Sequence, residues 1–240
     1  MEDQQTVDYF DRYTPEYSDY RLKHVLDALN RHAAAGCRLA DVGCGVGNIL
    51  ECVKAKTPIQ DLCGIDVSTG CLHKTQQRVG CSTLLGSITD TAFVERVAGQ
   101  FDFVLLMAVL HHLIGKTRKQ SKARAASALA NCVTLLKPGG RLVISEPIFY
   151  PRFTMHALFY VKKAISSVTT RRIPILGYWN NIGAPVVSYY TDEELVKMLK
   201  RTGQFEVEEH YQEPLRVSAL LRAALVTRRL DVTVVARKLA

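Results

Sequence analysis

Apolar and polar residues follow two spacings along this chain, and the two alternate. Short apolar runs have the length of buried strands, and the longer segments between them repeat apolar residues every three or four positions, as helices do. Strands and helices that alternate in this way form a parallel sheet covered on both faces, so the pattern predicts a doubly wound α/β fold. The predicted strands are Arg38–Val42, Asp61–Asp66, Ser82–Leu85, Phe101–Met107, Gly140–Ser145, Phe205–Tyr211 and Asp231–Arg237.

Helices are expected in the segments between and beyond these strands. Thr191 before Asp192-Glu193-Glu194 has the composition of an N-cap and an acidic first turn. Pro138-Gly139-Gly140 is expected to end the helix before the fifth strand. The predicted helices are residues 17–33, 46–55, 69–78, 91–98, 117–136, 192–202 and 215–229.

Composition favours one globular domain over residues 1–240. The chain is 48% hydrophobic and 22% charged, which excludes a wholly disordered protein. No run of about 18 apolar residues occurs, and the acidic start MEDQQTVDYFD lacks the layout of a secretory signal. We therefore expect a cytoplasmic protein, with residues 1–36 as an N-terminal helical cap.

The seven cysteines indicate reduced thiols. Their number is odd, and they form neither a C-x-x-C pair nor a zinc-binding spacing with histidine, so no metal site is predicted. We expect most of them to be small buried hydrophobic residues. They are Cys37, Cys44, Cys52, Cys63, Cys71, Cys81 and Cys132.

Positive charge is concentrated in two segments. Basic residues exceed acidic ones by 31 to 23, a net charge of +8 that permits anionic partners. Residues 147–191 contain no acid, many aromatic residues and five bases, Arg152, Lys162, Lys163, Arg171 and Arg172. A second run, Lys116, Arg118, Lys119, Lys122 and Arg124, is expected to be a solvated helix face, with contact to RNA phosphates as the alternative.

Three alternate glycines lie between the first strand and a helix. Gly43, Gly45 and Gly47 permit a tight turn and a close approach of the main chain to a ligand. Asp66 ends the second strand beside this turn, where its carboxylate can accept both hydroxyls of a ribose. The third glycine stands one residue earlier than in the G-x-G-x-x-G of nicotinamide sites, which disfavours an oxidoreductase.

The segment 39–48, with the acid at Asp66, resembles the first motif, D-x-G-C-G-x-G, of the class I S-adenosylmethionine-dependent methyltransferases of small-molecule type. Residues 101–113 are similar to that family's fourth-strand motif, 136–142 to its LKPGG turn and 190–195 to a later helix start. The resemblance implies a Rossmann-like sheet of seven strands, mostly parallel, with an antiparallel C-terminal strand.

The resemblance also implies the cofactor S-adenosyl-L-methionine and a set of residues that bind it. Asp41, Gly43 and Gly45 would hold the methionine end and Asp66 the ribose. Gly86-Ser87 stands where many relatives have Gly-Asp, so either the main chain of Ser87 and Ile88 or the side chain of Asp90 would meet the adenine. The full set is Tyr9, Tyr13, Asp41, Gly43, Cys44, Gly45, Asp66, Val67, Ser87, Ile88, Met107 and Ala108.

Candidate catalytic residues follow the fourth and fifth strands, because open α/β sheets bind ligands at the carboxyl ends of their strands. They are His111, His112 and Glu146. A histidine here could act as a general base, or could instead cap a helix or pack beneath the cofactor. Glu146 could equally be a carboxylate that holds the following loop through main-chain N–H groups.

Residues 147–191 are predicted to be an inserted substrate lid. Within them Thr154–Ser167 is amphipathic, and its apolar residues and bases would bind a hydrophobic acceptor, an acidic group or an anionic membrane surface. The alternative is core packing with a solvated basic rim. The apolar face is Met155, Leu158, Phe159, Val161 and Ile165.

The function expected is methyl transfer to an oxygen, nitrogen or carbon atom of a small, hydrophobic or aromatic acceptor. The segment Ala108-Val109-Leu110-His111 is apolar and lacks the Asn/Asp-Pro-Pro-Tyr of amino-methyltransferases. Two alternatives remain open, an RNA methyltransferase and a catalytically silent cofactor-binding regulator or scaffold, although nucleic acid is disfavoured because no RNA-binding module is present.

Overall fold

The computed structural model of the protein describes residues 19–168 and 186–239. Seven strands lie in one sheet, β1 Arg38–Val42, β2 Asp61–Asp66, β3 Ser82–Leu85, β4 Phe101–Met107, β5 Leu136–Tyr150, β6 Phe205–Leu215 and β7 Arg228–Lys238. Their order is β3-β2-β1-β4-β5-β7-β6. β7 is antiparallel to both of its neighbours, and the other described pairs are parallel. The predicted fold class is confirmed.

Helices cover both faces of this sheet. They are α1 Asp19–His32, α2 Asn48–Lys56, α3 Thr69–Val79, α4 Thr91–Arg96, α5 Arg118–Leu135, α6 Arg152–Val168, α7 Asp192–Arg201 and α8 Ala219–Ala223, with a 3₁₀ turn at Leu110–His112. α1, α2 and α3 pack on one face, and α4, α5 and α7 pack on the other. α1 therefore belongs to a covering layer of the sheet, and residues 1–18 lie outside the described part of the chain.

The start of α7 follows its sequence prediction. The Thr191 hydroxyl accepts a hydrogen bond from the Glu194 N–H at 3.3 Å, and the Glu194 carboxylate accepts one from the Thr191 N–H at 3.2 Å. This reciprocal pair is a capping box, in which two N–H groups without helical partners are satisfied. The chain therefore enters α7 at a fixed point just beyond Tyr189 and Tyr190.

The predicted helix over residues 215–229 is wrong. β6 runs to Leu215, β7 begins at Arg228, and only Ala219–Ala223 between them is helical. Leu220 and Leu225, which suggested an apolar helix face, are 47% and 64% exposed. Long antiparallel pairing of β7 with both neighbours outweighs the local helical spacing, because each paired residue satisfies main-chain groups on two sides.

The fifth strand is also longer than predicted at both ends. It begins at Leu136, before Pro138-Gly139-Gly140, so the preceding helix ends without that turn. At its other end Pro147–Tyr150 pair with Asp231–Arg228 of β7. The first four residues of the predicted lid are therefore part of the sheet, and the described remainder of that segment is α6 and the residues from Val186 onward.

The cysteines follow the prediction in part. None of the seven forms a disulfide; Cys44, Cys63, Cys71 and Cys132 are buried, and Cys37, Cys52 and Cys81 are partly exposed. Burial raises the pKa of Cys132 to about 12, so its thiol is protonated at neutral pH. Within residues 19–168 and 186–239, no helix is both long and apolar enough to cross a bilayer, and no three metal-ligating side chains lie together.

Candidate active site

The glycine turn is tied to the tip of β2. Gly43 donates its N–H to the Ile65 carbonyl at 2.7 Å, and Gly45 donates to the Asp66 carboxylate at 2.9 Å. Gly43 has φ +76°, and a Cβ there would stand 2.7 Å from a Val109 methyl group. Gly45 has φ +54° with no heavy atom within 4 Å of an added Cβ, so the main chain faces open space. A ligand can approach the turn closely at Gly45, although these N–H groups are used within the protein.

Asp66 holds this turn and the start of α3 together. Its second carboxylate oxygen accepts the Ser68 N–H at 2.9 Å, and Ser68 in turn caps α3 by accepting the Cys71 N–H. The side chain thus has a fixed orientation at the carboxyl end of β2. A carboxylate retains acceptor capacity beyond one bond per oxygen, which suits the ribose contact that the resemblance implies.

Asp41 is a fully buried carboxylate at the carboxyl end of β1. Neither of its oxygens has a hydrogen-bond partner in the described part of the chain. Desolvation, and secondarily the charge of Asp66, raise the pKa of Asp41 to about 7. A buried carboxylate without a partner is costly, and a cation that reaches it would offset that cost. The ammonium group at the methionine end of the cofactor has the required charge, so this residue fits the implied cofactor.

Cys44 and Thr75 support the turn from beneath. The Cys44 side chain is buried within the core between β1 and α2, so only its main chain could meet a ligand. Thr75 of α3 donates its hydroxyl hydrogen to the Gly45 carbonyl at 2.8 Å. Sequence reasoning missed Thr75, because a threonine within a helix 30 residues away gives no local signal of this contact.

The region beyond β3 differs from the expected adenine contacts. Ile88 is buried in the core and its carbonyl accepts a hydrogen bond from Asn131, while the Ser87 hydroxyl bonds to that of Thr89. Asp90 caps α4 by accepting the N–H groups of Ala92 and Phe93, so it does not reach back toward the turn. The Asp90 carboxylate is thus engaged at the start of α4, which favours the main chain of Ser87 and Ile88 for the adenine.

Two exposed apolar side chains flank Asp66 at this edge of the sheet. Val67 is 50% exposed, and Leu85, which pairs with Asp66 across β2 and β3, is 56% exposed. Exposed apolar groups beside a polar anchor suit a flat aromatic ligand such as a purine. The sequence did not indicate Leu85 as a site residue, because the apolar residues of β3 predict a buried strand.

The end of β4 is held in an uncommon conformation. Met107 is buried, and Ala108 after it has φ +57°, in the left-handed region that side chains usually avoid. The Ala108 N–H donates to the Ser145 carbonyl of β5 at 2.7 Å, which fixes this bend. Such a residue costs about 1–3 kcal/mol and occurs most often at functional sites, so the backbone here is positioned for the residues that follow.

His111 and Glu146 form a buried pair across the ends of β4 and β5. His111 Nδ1 lies 2.6 Å from one Glu146 carboxylate oxygen, and the Leu110 N–H donates to the other at 2.7 Å. The side chains are 6% and 1% exposed. Glu146 therefore fixes the ring orientation of His111. It also holds the loop after β4, whereas the sequence suggested that it could hold the loop after β5. The arrangement directs Nε2 to act on a proton outside the pair.

His112 has a different environment from its neighbour. Burial, the adjacent His111 and the charge of Lys162 together lower the pKa of His112 well below its usual value, so it is neutral at physiological pH. Its ring centroid lies 4.1 Å from that of His111, and on another side His111 stacks on Tyr189 at 5.3 Å. Tyr189 is one of the aromatic residues of the segment 147–191, and its contact with the candidate base could not be predicted from the sequence.

Arg118 and Lys122 of the second basic run act within the fold. Arg118 is buried and donates to the Tyr189 carbonyl at 2.7 Å, Lys122 bonds to Glu194, and Arg124 donates to the Ile114 carbonyl. All three bases bond to the protein and Arg118 is buried, which contradicts a fully solvated face. Lys116, Lys119 and Arg124 of that run are exposed and could still meet a phosphate backbone.

α6 packs over the carboxyl end of β5 and the amino end of β7. Met155 is buried against Phe149, Tyr189 and Val226, Leu158 packs on the same cluster, and Phe159 is buried as well. Much of the apolar face predicted to meet a ligand or membrane therefore packs on the protein instead. Arg152 pairs with Glu194 at 2.9 Å, and Lys163 donates to the Gly115 carbonyl at 3.0 Å. Arg171, Arg172, Tyr9 and Tyr13 lie outside the described residues.

Comparisons with known proteins agree with this geometry. Residues 40–142 match the model of a methyltransferase domain. The chain is 28% identical over 159 residues to a ubiquinone biosynthesis O-methyltransferase of Acinetobacter baylyi and 33% identical over 128 residues to one of Xanthomonas axonopodis pv. citri. These alignments cover 61% and 52% of this chain, but only 62% and 48% of those relatives.

Solved structures share the fold at low sequence identity. A chain from the complex of the Haloferax volcanii Trm112 methyltransferase activator with a methyltransferase has a TM-score of 0.66 at 16% identity, covering all of this chain and 98% of that one. The N-methyltransferase NodS of Bradyrhizobium japonicum, solved with S-adenosyl-L-homocysteine, has a TM-score of 0.60 at 17% identity, with 98% of each chain covered.

Proposed function

Because residues 40–142 match the model of a methyltransferase domain, we propose that the protein transfers a methyl group from S-adenosylmethionine to a small, hydrophobic or aromatic acceptor. One observation carries the proposal. Asp41, a buried carboxylate without a hydrogen-bond partner among the described residues, lies beside a glycine turn whose other neighbour is the carboxylate of Asp66. Together they offer one cation site and one hydroxyl site at adjacent strand ends.

Asp41 would hold the ammonium group of the methionine end, and Asp66 the ribose hydroxyls. Gly43 and Gly45 let the main chain approach the cofactor, with Cys44 contributing main-chain atoms, and Met107 and Ala108 form the floor next to the turn. Val67, with the main chain of Ser87 and Ile88, would flank the adenine. Tyr9 or Tyr13 would close over the cofactor. When bound, S-adenosylmethionine supplies an electrophilic sulfonium methyl group.

His111 would remove the proton of the acceptor, and Glu146 would keep its ring in the required orientation. Glu146 touches no acceptor in this scheme, so it is a positioning residue. His112 is held neutral and packs beside the base. The buried aromatic rings of Tyr189 and Phe149 and the underside of α6 exclude water from this side of the site, which suits an apolar acceptor. The first two relatives above, named O-methyltransferases, support an oxygen nucleophile.

Titration of the protein with S-adenosylmethionine and S-adenosylhomocysteine tests the cofactor part of the proposal. Asp66→Asn keeps the size of the side chain but loses its charge, and is expected to weaken both ligands roughly 30-fold, as loss of charge-assisted hydrogen bonds would. Asp61→Asn, at the exposed opposite end of the same strand, is the matched control and should bind both normally. Equal affinity for the Asp66 variant and the wild type contradicts the assignment.

Transfer of a labelled methyl group to a panel of phenols, amines and short RNAs tests the reaction. Turnover of phenols is the expected result. Cofactor binding without turnover of any acceptor would favour the silent regulator or scaffold, and turnover of RNA alone would favour the RNA methyltransferase. The internal bonds of Arg118, Lys122 and Arg124 weigh against RNA.

An anionic membrane surface is the partner proposed for the outer face of α6. Phe153, Ala157, Tyr160 and Ala164 follow helical spacing on its exposed side, and Phe153 and Tyr160 are 67% and 48% exposed. Exposed aromatic residues on a helix of a protein with net charge +8 suit contact with an anionic interface. This face is distinct from the one that packs on the protein.

Substitution of both Phe153 and Tyr160 by serine is expected to reduce binding to phosphatidylglycerol vesicles about tenfold. The variant lacks the two aromatic rings that the membrane interface would partly bury. Sedimentation with vesicles measures the effect. The double variant Leu220→Ser with Leu225→Ser removes similarly exposed apolar groups elsewhere and is the control. No binding by the wild type, or equal loss in both double variants, would rule out this face.

A further inference from the structure

Lys162 occupies a core position of α6. Met155, Phe159 and Lys162 follow one another at helical spacings of four and three residues, which places them on the same side of the helix. Met155 and Phe159 are both buried, and Met155 belongs to the apolar cluster beneath α6. The Lys162 ammonium nitrogen is buried as well and has no hydrogen-bond partner in the described part of the chain. An apolar residue would ordinarily occupy this position.

Arg118, a buried base of α5, is partnered through its Nη2 nitrogen, although its other two guanidinium nitrogens have no described partner. Arg118 donates to the Tyr189 carbonyl at 2.7 Å and lies 3.8 Å from the Glu194 carboxylate. No carboxylate or carbonyl oxygen of the described residues accepts a hydrogen bond from the Lys162 ammonium group. Burial alone lowers the pKa of Lys162 to about 8, so the side chain is still charged at neutral pH. A buried cation of this kind destabilises a fold unless an anion pairs with it.

Lys162 lies near His112, which follows the candidate base His111 in the chain. Its charge acts on His112, and the adjacent Lys163 fixes this part of α6 to Gly115 just after the 3₁₀ turn. Glu146, at the same edge of the sheet, already accepts from His111 and Leu110. The ammonium group therefore lies beside the acceptor side of the site, and no carboxylate of residues 19–168 or 186–239 bonds to it.

We propose that Lys162 binds a carboxylate of the methyl acceptor, so that the substrate is an aromatic acid whose nucleophilic atom meets His111 while its carboxylate pairs with the ammonium group. This inference rests on the proposed function, since it assigns the acceptor of that site. The ion pair between Lys162 and the substrate differs from contacts with basic residues on the protein surface. It forms where water is largely excluded, so it discriminates more strongly between charged and uncharged acceptors. The acceptor is then both aromatic and acidic.

A pair of phenols that differ in one group tests this selectivity. The probes are 3-(4-hydroxyphenyl)propanoate and 4-propylphenol, in which a methyl group replaces the carboxylate. In the presence of saturating S-adenosylhomocysteine, the wild type is expected to bind the acid at least about tenfold more tightly. Lys162→Met should remove that preference and leave 4-propylphenol binding within about twofold. Lys119→Met, on the exposed surface of α5, should retain the preference.

The outcomes separate this inference from the proposed function. Binding of S-adenosylhomocysteine to the wild type and to Lys162→Met reports the cofactor site and the fold of the variant independently of the acceptor. If that binding is normal but the wild type binds the two phenols equally, or binds neither, the inference is wrong and the proposed function stands. If Lys162→Met weakens both phenols equally, Lys162 only supports the fold of the site, and the inference is again wrong. Lys162→Gln serves should the methionine variant not fold.

Discussion

Replacement of Asp41 by asparagine is expected to weaken S-adenosylmethionine binding about 100-fold while it stabilises the cofactor-free protein. Both effects have one cause, a buried carboxylate whose oxygens have no partner among the described residues. In the folded protein the pKa of Asp41 is raised from 3.8 to about 7. Each pH unit over that interval costs about 1.4 kcal/mol, so ionised Asp41 destabilises the fold by about 4 kcal/mol above pH 7.

The pH dependence has a definite sign. Below about pH 4 the carboxyl is protonated in both the folded and the unfolded state and contributes nothing. As pH rises from about 4 to about 7, the unfolded state ionises first and stability is lost progressively. Asp41→Asn is therefore expected to raise the free energy of unfolding by about 1–3 kcal/mol at pH 8, less than the full amount because the buried amide lacks partners too. The gain should shrink toward pH 4.

Urea unfolding at pH 5 and pH 8, together with titration of S-adenosylmethionine at both, measures these effects. Asp102→Asn is the control with opposite sign. Desolvation acts on Asp102 as well, but hydrogen bonds from the Arg38 N–H and Lys137 more than offset it and lower its pKa. That variant should lose stability and retain the cofactor. An Asp41 variant that is less stable at pH 8, or that binds normally, would contradict a cation site at Asp41.

Without His111 as general base, methyl transfer to phenols is expected to be about 10²–10⁴-fold slower, which is the usual contribution of such a base. His111→Gln is the direct test. Glu146→Gln retains an acceptor for the Leu110 N–H but removes the charge beside His111 Nδ1, so a smaller loss, about 10-fold to 100-fold, is expected. Cofactor affinity should change little in either variant.

A rate profile against pH distinguishes a proton-transfer role from a purely structural one. If His111 removes the phenol proton, the His111→Gln variant should recover activity as the pH approaches the pKa of the phenol, near 10 as for tyrosine, because the ionised acceptor needs no base. His210→Gln is the matched control. His210 forms a similar histidine–carboxylate pair outside this site, with 2.8 Å between its Nε2 and an Asp192 carboxylate oxygen. Equal defects in the two variants, or a His111 defect that no pH relieves, would rule out His111 as base.

Local sequence signals determined the frame of the site. The bounds predicted for the first four strands coincide with those observed, because each is a short apolar run between clear turns. The alternate glycines at Gly43 and Gly45 do adopt left-handed conformations, and Asp66 does stand beside them. These features depend on neighbours in the chain and on the fixed topology of alternating strands and helices, so they could be predicted without coordinates.

Tertiary structure alone decided how the side chains are partnered. Nothing in the sequence distinguishes Asp41, which has no described partner, from Asp90, which caps a helix. The bond between His111 and Glu146 joins residues 35 positions apart, and Lys162 reads as part of a solvated basic run until α6 is packed in place. Burial and pairing depend on which segments share the same space, and that is why the predicted helix at 215–229 failed while the glycine turn did not.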